Sequence, residues 1–362
     1  MKHLKAMIPA ALAMAFATTP GHAVEPPELI QLARQAPTPP WPAGDELGMA
    51  NTLGEATNRR CAWHMAQPGA RWYEASHPRS NTMPKSPFAS GAGVKAKPTA
   101  GVPGSRHAFN SEAFEAGAEP GQQGTQIDAL GHFAVKGASW DPAKPFSADD
   151  ASYYGGYKQA EVKPSADSLL QRLSIDKIPP LVSTAVVLDA KAHVGGGERM
   201  KDGQLVTAEH IKAMLAAQGL GERGLLPGDM VWIYTGWSDQ WQDPATDTPY
   251  YAMAPGLSVD AADYLGEQAV LAVGVDTPFI DPVPGGMLQG KAPPAEGTPP
   301  GLPFAIHHHM LTEAGVYHLE NMKLGEMARD KVWLSCAMVL PTLDKGAAGA
   351  PVRPVAVGRP AG

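Results

Sequence analysis

The chain contains very little cysteine: Cys61 and Cys336 are the two thiols among 362 residues. Two thiols are too few for a disulfide framework or a cysteine-based zinc site. Cys336 lies in an apolar run at residues 332–340, so it reads as a buried structural thiol in preference to a bridge with Cys61. Basic charge is also scarce. Lys and Arg number 29 against 36 Asp and Glu, giving a net charge of −7 with no basic block. Nucleic acid is therefore excluded as an expected partner, because neutralising phosphates takes clustered cations. Beyond the first 23 residues no apolar run approaches the length that crosses a bilayer. Three chemical signatures are missing as well. No glycine-rich phosphate loop follows a strand, no G-x-S-x-G elbow is present, and no H-E-x-x-H helix occurs. Nucleotide, serine-hydrolase and zincin readings have no support. Gly (39) and Pro (36), by contrast, make up about a fifth of the chain, which excludes a long coiled coil and disfavours a helical bundle.

Residues 1–23 read as a secretory signal. Lys2 and Lys5 precede an apolar stretch at residues 6–17, and the segment ends Gly21-His22-Ala23, with small residues where a signal peptidase cuts. Its removal takes two lysines and no acid, shifting the charge from −7 to −9. The processed chain is expected in a bacterial periplasm or outside the cell, with no membrane contact. Residues 24–44 are Pro-rich and read as an extended arm, 45–345 as the functional domain, and 346–362 as a flexible C-terminal tail.

Four apolar runs bracketed by Pro or Gly read as buried strands, at residues 181–188, 230–235, 269–275 and 332–340. Helices are expected between them. Thr207 is a fitting N-cap, Ile211, Met214 and Leu215 form one stripe, and Gly219 follows. Ser258 is expected to open a second helix, and Ser165 a third running through Leu173. Strands interleaved with helices imply a mixed α/β fold. Residues 83–114 and 282–303 read as long loops, suited to lids or binding loops and equally to surface padding or a subunit contact.

Chemistry-bearing side chains cluster in residues 121–133. Gln122, Gln126, Asp128 and His132 share parity, so in extended chain they project to one face. A carboxylate, an imidazole and two amides facing one way suit a divalent metal, but a solvated polar edge strand has the same pattern. A second cluster is His307-His308-His309, with Glu320 beyond it; at most two of three consecutive histidines can face one site. A third is the run from Gly274 to Pro282, which holds Asp276 and Asp281.

Together these pieces resemble the putative cyclase family, which includes bacterial kynurenine formamidases and isatin hydrolases. The family signature H-x-G-T-H-x-D-x-x-x-H-F is similar to residues 122–133, where Gly124, Thr125, Asp128, His132 and Phe133 match. A later signature, a His followed twelve residues on by Glu, is similar to His308 through Leu311 and Gly315 to Glu320. Residues 44–51, 234–237 and 274–278 also resemble the family. The first two signature histidines are replaced by Gln122 and Gln126, as in some longer members. The resemblance implies a swivelling β/β/α-type α/β domain with a mixed sheet, assembled as a homodimer or higher oligomer. It implies a metal-dependent hydrolase acting on an amide, imide or lactone of a small molecule. Asp128, His308 and Glu320 would be metal ligands, joined by Gln122 and Gln126, and His132 the general acid or base. Amide oxygen is a harder donor than imidazole, which makes Mn2+ as well as Zn2+ a candidate cofactor. Ring closure by the same site, or a binding protein that kept the fold, are the alternative readings.

Overall fold

The four apolar runs are strands, and they form the middle of one nine-stranded sheet in a computed structural model of the chain. The structure describes residues 23–361 except 89, 91, 118–119, 140–150 and 247–248. The expected signal segment therefore lies outside the described residues, apart from Ala23. In chain order the strands of this sheet are β1 (Arg71–Glu74), β2 (Gln126–Asp128), β3 (Leu181–Asp189), β4 (Met230–Tyr234), β5 (Ala272–Val275), β6 (Tyr317–Glu320), β7 (Leu334–Val339), β8 (Gly349–Pro351) and β9 (Val355–Gly358). They lie in the order β1-β9-β7-β3-β4-β5-β6-β2-β8. The pairs β3–β4, β4–β5 and β5–β6 are parallel. The remaining pairs are antiparallel. Every residue of β4 and β5 is buried, as expected for parallel strands covered on both faces.

The longer helices are α1 (Pro27–Ala33), α2 (Glu55–Met65), α3 (Ala208–Ala217) and α4 (Val259–Glu267). Helix α2 lies against β3 and β7, while α3 packs on α4. The N-cap expected for α3 is formed: Thr207 Oγ1 accepts the His210 N–H at 3.2 Å. Gly219, at φ +73°, follows the helix end. Helix α4 starts after Ser258 as expected, but the Ser258 hydroxyl donates to the Val206 carbonyl at 3.1 Å instead of capping.

Several expectations fail for tertiary reasons. No helix runs from Ser165 to Leu173. The Leu170 and Gln171 amides donate to Gly346 and Val162 carbonyls, and Leu173 sits at φ +57°. The segment expected to be a flexible tail supplies β8 and β9, with Ala350 and Ala356 fully buried. Its small residues let it thread close to neighbouring backbone, and its Gly and Pro content disguises the strands. The arm is not simply extended: α1 starts at Pro27, a residue suited to a first helical position. Glu25 is buried in an ion cluster, bonded to Arg223 at 2.7 Å and near His64 at 3.2 Å. Asp229 completes the cluster, 2.7 Å from Arg223 and 2.5 Å from Arg60. Finally, Cys61 and Cys336 form a disulfide between α2 and β7. Their separation of 275 residues conceals that helix packing on the sheet brings the Cα atoms to 4.3 Å.

Candidate metal centre

Strand β2 pairs antiparallel with β6 so that Asp128 faces His318 and Gln126 faces Glu320. Directly opposed residues share a sheet face, and residues two apart along a strand do too. All four polar side chains therefore stand on one face, and Ile127 and Leu319 fill the core on the other. On the far side of β2, Gly349 of β8 pairs with Asp128. A Cβ at Gly349 would collide with Gln122 Nε2 and approach Asp128 Oδ1 to 3.2 Å, so the glycine makes room for both groups.

The fifth member arrives from a helical segment. His307 ends the short turn Ala305–His307, and a π-helix, His308–Ala314, begins directly after it. Asp281 accepts the Ile306 N–H at 2.7 Å and the His307 N–H at 3.2 Å. Its Oδ2 also lies 2.5 Å from His307 Nδ1. With the Nδ1 proton assigned to that bond, Nε2 is left facing Glu320 Oε1 at 3.5 Å and Asp128 Oδ2 at 3.7 Å. The rings of Phe133 and Phe304 stand 5.0 and 6.1 Å from the His307 ring.

Among the described residues, Asp128, His307 and His318 form the group whose ligand atoms all lie within 4.8 Å of one another. Both Asp128 oxygens and both His318 nitrogens are buried without a hydrogen-bond partner, as are Gln126 Oε1 and Gln122 Nε2. Gln126 Nε2 donates to Glu320 Oε2 at 3.0 Å, and the Ile280 N–H donates to Glu320 Oε1 at 2.9 Å. Burial, with Asp128 and Asp281 nearby, pushes Glu320 up to about 8 against the pull of His307. Burial alone would lower His307, but the bond and charge of Asp281, with Glu320 and Asp128, raise it to about 9. Burial and the neighbouring His307 and His132 hold His318 well below the usual imidazole range. Burial also lowers His132, opposed by Asp128 and assisted by His307. His132 and Gln122 open onto a cavity of about 1070 Å³, whose wall includes Arg79, Phe114, Leu169 and Leu170.

The structure thus gathers Gln122, Gln126, Asp128 and Glu320 in one place, with His132 at the edge. It does not bring His308 there: His308 Nε2 lies 3.4 Å from Glu313 Oε1. The neighbouring His307 points inward instead. The π-helix begins directly after His307, and it is the His307 ring that turns toward Glu320 while His308 turns toward Glu313. Strict alternation holds only for Gln126–Asp128, because Pro120–Gln122 and Leu130–His132 are 3₁₀ turns. Sequence reading missed His318. Its signal was available, since His318 and Glu320 share strand parity as Gln126 and Asp128 do.

A family profile described as putative cyclase matches residues 73–282. No curated protein matches the chain. Among solved structures, one described as a novel cyclase shares 22% identity over 87% of this chain and 95% of its own, with a TM-score of 0.69. Isatin hydrolase A from Ralstonia solanacearum shares 22% identity over 80% and 92%, with a TM-score of 0.51. An isatin hydrolase bound to the product analogue thioisatinate shares 16% over 80% and 93%, with a TM-score of 0.52. At these identities the likeness is one of fold.

Proposed function

This chain belongs to the putative cyclase family, and from that premise we propose that it is a divalent-metal-dependent hydrolase of an amide, imide or lactone bond in a small molecule. One observation carries the reading. Asp128 and His318 are buried with their donor atoms unpartnered, and with His307 they converge within 4.8 Å. A buried carboxylate without a hydrogen-bond donor is costly, and a cation removes that cost. One carboxylate and two imidazoles are fitting donors for Mn2+ or Zn2+. Asp128, His307 and His318 would hold the ion, with Glu320 Oε1 and Gln126 Oε1 as further oxygen donors and Gln122 beside them. The proposed ligand from the triplet is His307, in place of His308.

When bound, the ion supplies Lewis acidity that polarises a carbonyl and acidifies water. The chain's own residues do the rest. Asp281 fixes the His307 ring so that Nε2 faces the centre. His132, kept neutral by burial and open to the cavity, accepts a proton from the attacking water and returns it to the leaving nitrogen or oxygen. Phe133 and Phe304 pack their rings beside the His307 ring and make its surroundings less polar. Hydrolysis as the reaction type is supported by the shared fold with an isatin hydrolase bound to a product analogue. Export directed by residues 1–23 is part of the proposal, supported by the Cys61–Cys336 bond, which persists in oxidising compartments.

The test is metal analysis of the purified chain, then a screen of aryl formamides, cyclic imides and lactones in oxygen-labelled water. One Mn2+ or Zn2+ per chain and label in the product carboxylate are expected. A chain that binds neither ion would overturn the reading.

A further inference from the structure

The cavity of about 1070 Å³ that begins at His132 and Gln122 is much larger than the centre it adjoins. It stands at the top of the range, about 300–1000 Å³, that holds drug-sized ligands, so a single-ring amide or imide fills only a part of it. One wall leads away from the centre through two leucines. Leu170 closes on Gly131, beside His132: a Cβ at Gly131 would meet Leu170 Cδ1 at 2.9 Å. Leu169 follows, seated on Gly346, where a Cβ would meet Leu169 Cβ at 2.7 Å. Next, the Ser168 carbonyl accepts a proton from Lys163 Nζ at 2.8 Å. Phe114 adds a further apolar wall, with the Arg79 guanidinium 5.7 Å from its ring centre. Leu169 and Phe114 are 63% and 61% exposed, so an apolar ligand body in the cavity takes surface from both out of water.

Lys163 is the charged group that this wall leaves uncompensated. An ammonium has three donors, and one goes to the Ser168 carbonyl. Among the described residues no carboxylate lies within ion-pair distance of Nζ. The acids nearby are placed elsewhere: Asp344 accepts the Thr342 hydroxyl at 2.6 Å, Glu161 accepts the Lys158 N–H at 2.9 Å, and Asp128 belongs to the metal centre. Glu112 and Glu115 flank Phe114 in the chain, which disfavours an anion beside that ring and leaves Lys163 as its receptor. Given the metal-dependent hydrolysis proposed for this site, we propose that the substrate is an amide or lactone with a long apolar body ending in a carboxylate, and that Lys163 is the residue that selects it. The reacting carbonyl lies at the centre, the body runs along Leu170, Leu169 and Phe114, and the remote carboxylate meets Lys163 Nζ. Water oxygen bonds to the carbonyl carbon, the C–N or C–O bond breaks, and the proton passes through His132 to the leaving nitrogen or oxygen. Hydrolysis thus creates a second carboxylate at the cleaved bond and needs no oxidant or reductant.

The experiment uses suberanilic acid, an anilide whose polymethylene chain ends in a carboxylate, beside its uncharged methyl ester and the short amide acetanilide. Binding to the metal-free full chain is measured by isothermal calorimetry, which separates recognition from turnover and keeps the carboxylate from binding an ion. The wild type is expected to bind the acid about tenfold more tightly than the ester, the weight of a hydrogen bond to a charged group, and the ester more tightly than acetanilide. Lys163→Gln should lower affinity for the acid about tenfold and Lys163→Glu should lower it further, while Lys163→Arg stays within threefold of the wild type. Leu169→Ser should weaken acid and ester alike. Thermal unfolding checks that each variant is folded. Four results overturn the proposal: no binding of the acid, equal binding of acid and ester by the wild type, an acid-to-ester ratio that Lys163→Gln leaves unchanged, or acetanilide bound as tightly as the ester. Selective binding of the acid by a chain that does not hydrolyse it with Mn2+ or Zn2+ supports the Lys163 subsite and counts against the metal-dependent hydrolase, so the two readings fail separately.

Discussion

Asp281→Asn separates the positioning of His307 from everything else that residue does. In the native chain one carboxylate performs two tasks. It caps the turn at residues 305–307 through the Ile306 and His307 amides, and it holds His307 Nδ1 at 2.5 Å. Asparagine keeps the shape and an acceptor for the cap but removes the charge that pairs with the His307 ring, so the metal-free protein should lose about 1.5–3 kcal/mol. It replaces the charged acceptor at Nδ1 with a neutral amide that also donates. The imidazole then has no reason to keep the tautomer that leaves Nε2 free toward Asp128 and Glu320. Loss of such an outer partner typically costs about 10- to 100-fold in metal affinity, or about 1.4–2.7 kcal/mol. Asp281→Ala should show the same loss of affinity plus a further destabilisation of about 1 kcal/mol from the missing cap. The assay is competition for Mn2+ or Zn2+ against a chelator, run beside thermal unfolding of the metal-free proteins. An Asp281→Asn affinity within twofold of the wild type would refute the reasoning, because His307 would then either not be a ligand or not depend on Asp281 for its orientation.

Three further outcomes are expected. Asp128→Ala should abolish Mn2+ or Zn2+ binding, read by isothermal calorimetry, while the far-ultraviolet circular dichroism stays native. His132→Ala should retain the ion in metal analysis but lower turnover by about 10²- to 10⁴-fold, the usual weight of a proton shuttle; loss of metal would make it a ligand instead. Glu25→Gln should cost about 3–5 kcal/mol in denaturant unfolding, because it removes one carboxylate from a buried cluster with two arginines. Burial pushes Glu25 up, but Arg223 and His64 hold it well below the usual carboxylate range. Its stabilisation is therefore fully present above the unfolded value of about 4.3 and is lost as pH falls through the lower folded value. The gap between wild type and variant should stay constant from neutral pH into mild acid and close below that value. A gap that closes on the alkaline side would contradict the assignment.

What the sequence made legible and what it concealed divide along a physical line. Patterns that repeat within one element were readable. Apolar runs gave β3, β4, β5 and β7, Thr207 marked the start of α3, and period two placed Gln126 and Asp128 on one face. Relations between elements were not readable in the same way. The site exists because β2 docks beside β6 in a register that opposes Asp128 to His318, and no short window of sequence encodes that register. The histidine triplet makes the same point more sharply. Three identical neighbours offer no local reason to prefer one, and an α-helical or fixed-count argument favours His308. The π-helix begins directly after His307, and Asp281, brought in after β5, captures the His307 ring. The C-terminal segment was misread for a related reason. Its Gly and Pro suggest loose chain, yet Gly349 is required where β8 passes Gln122 and Asp128, because any side chain there would fill the space those groups occupy. A glycine in a tail and a glycine against a buried carboxylate look alike in sequence; only the strand pairing distinguishes them. The candidate centre is therefore a property of the β2–β6 pairing, and the residues proposed as ligands should tolerate conservative changes on β2 better than any change that shifts the β2–β6 register.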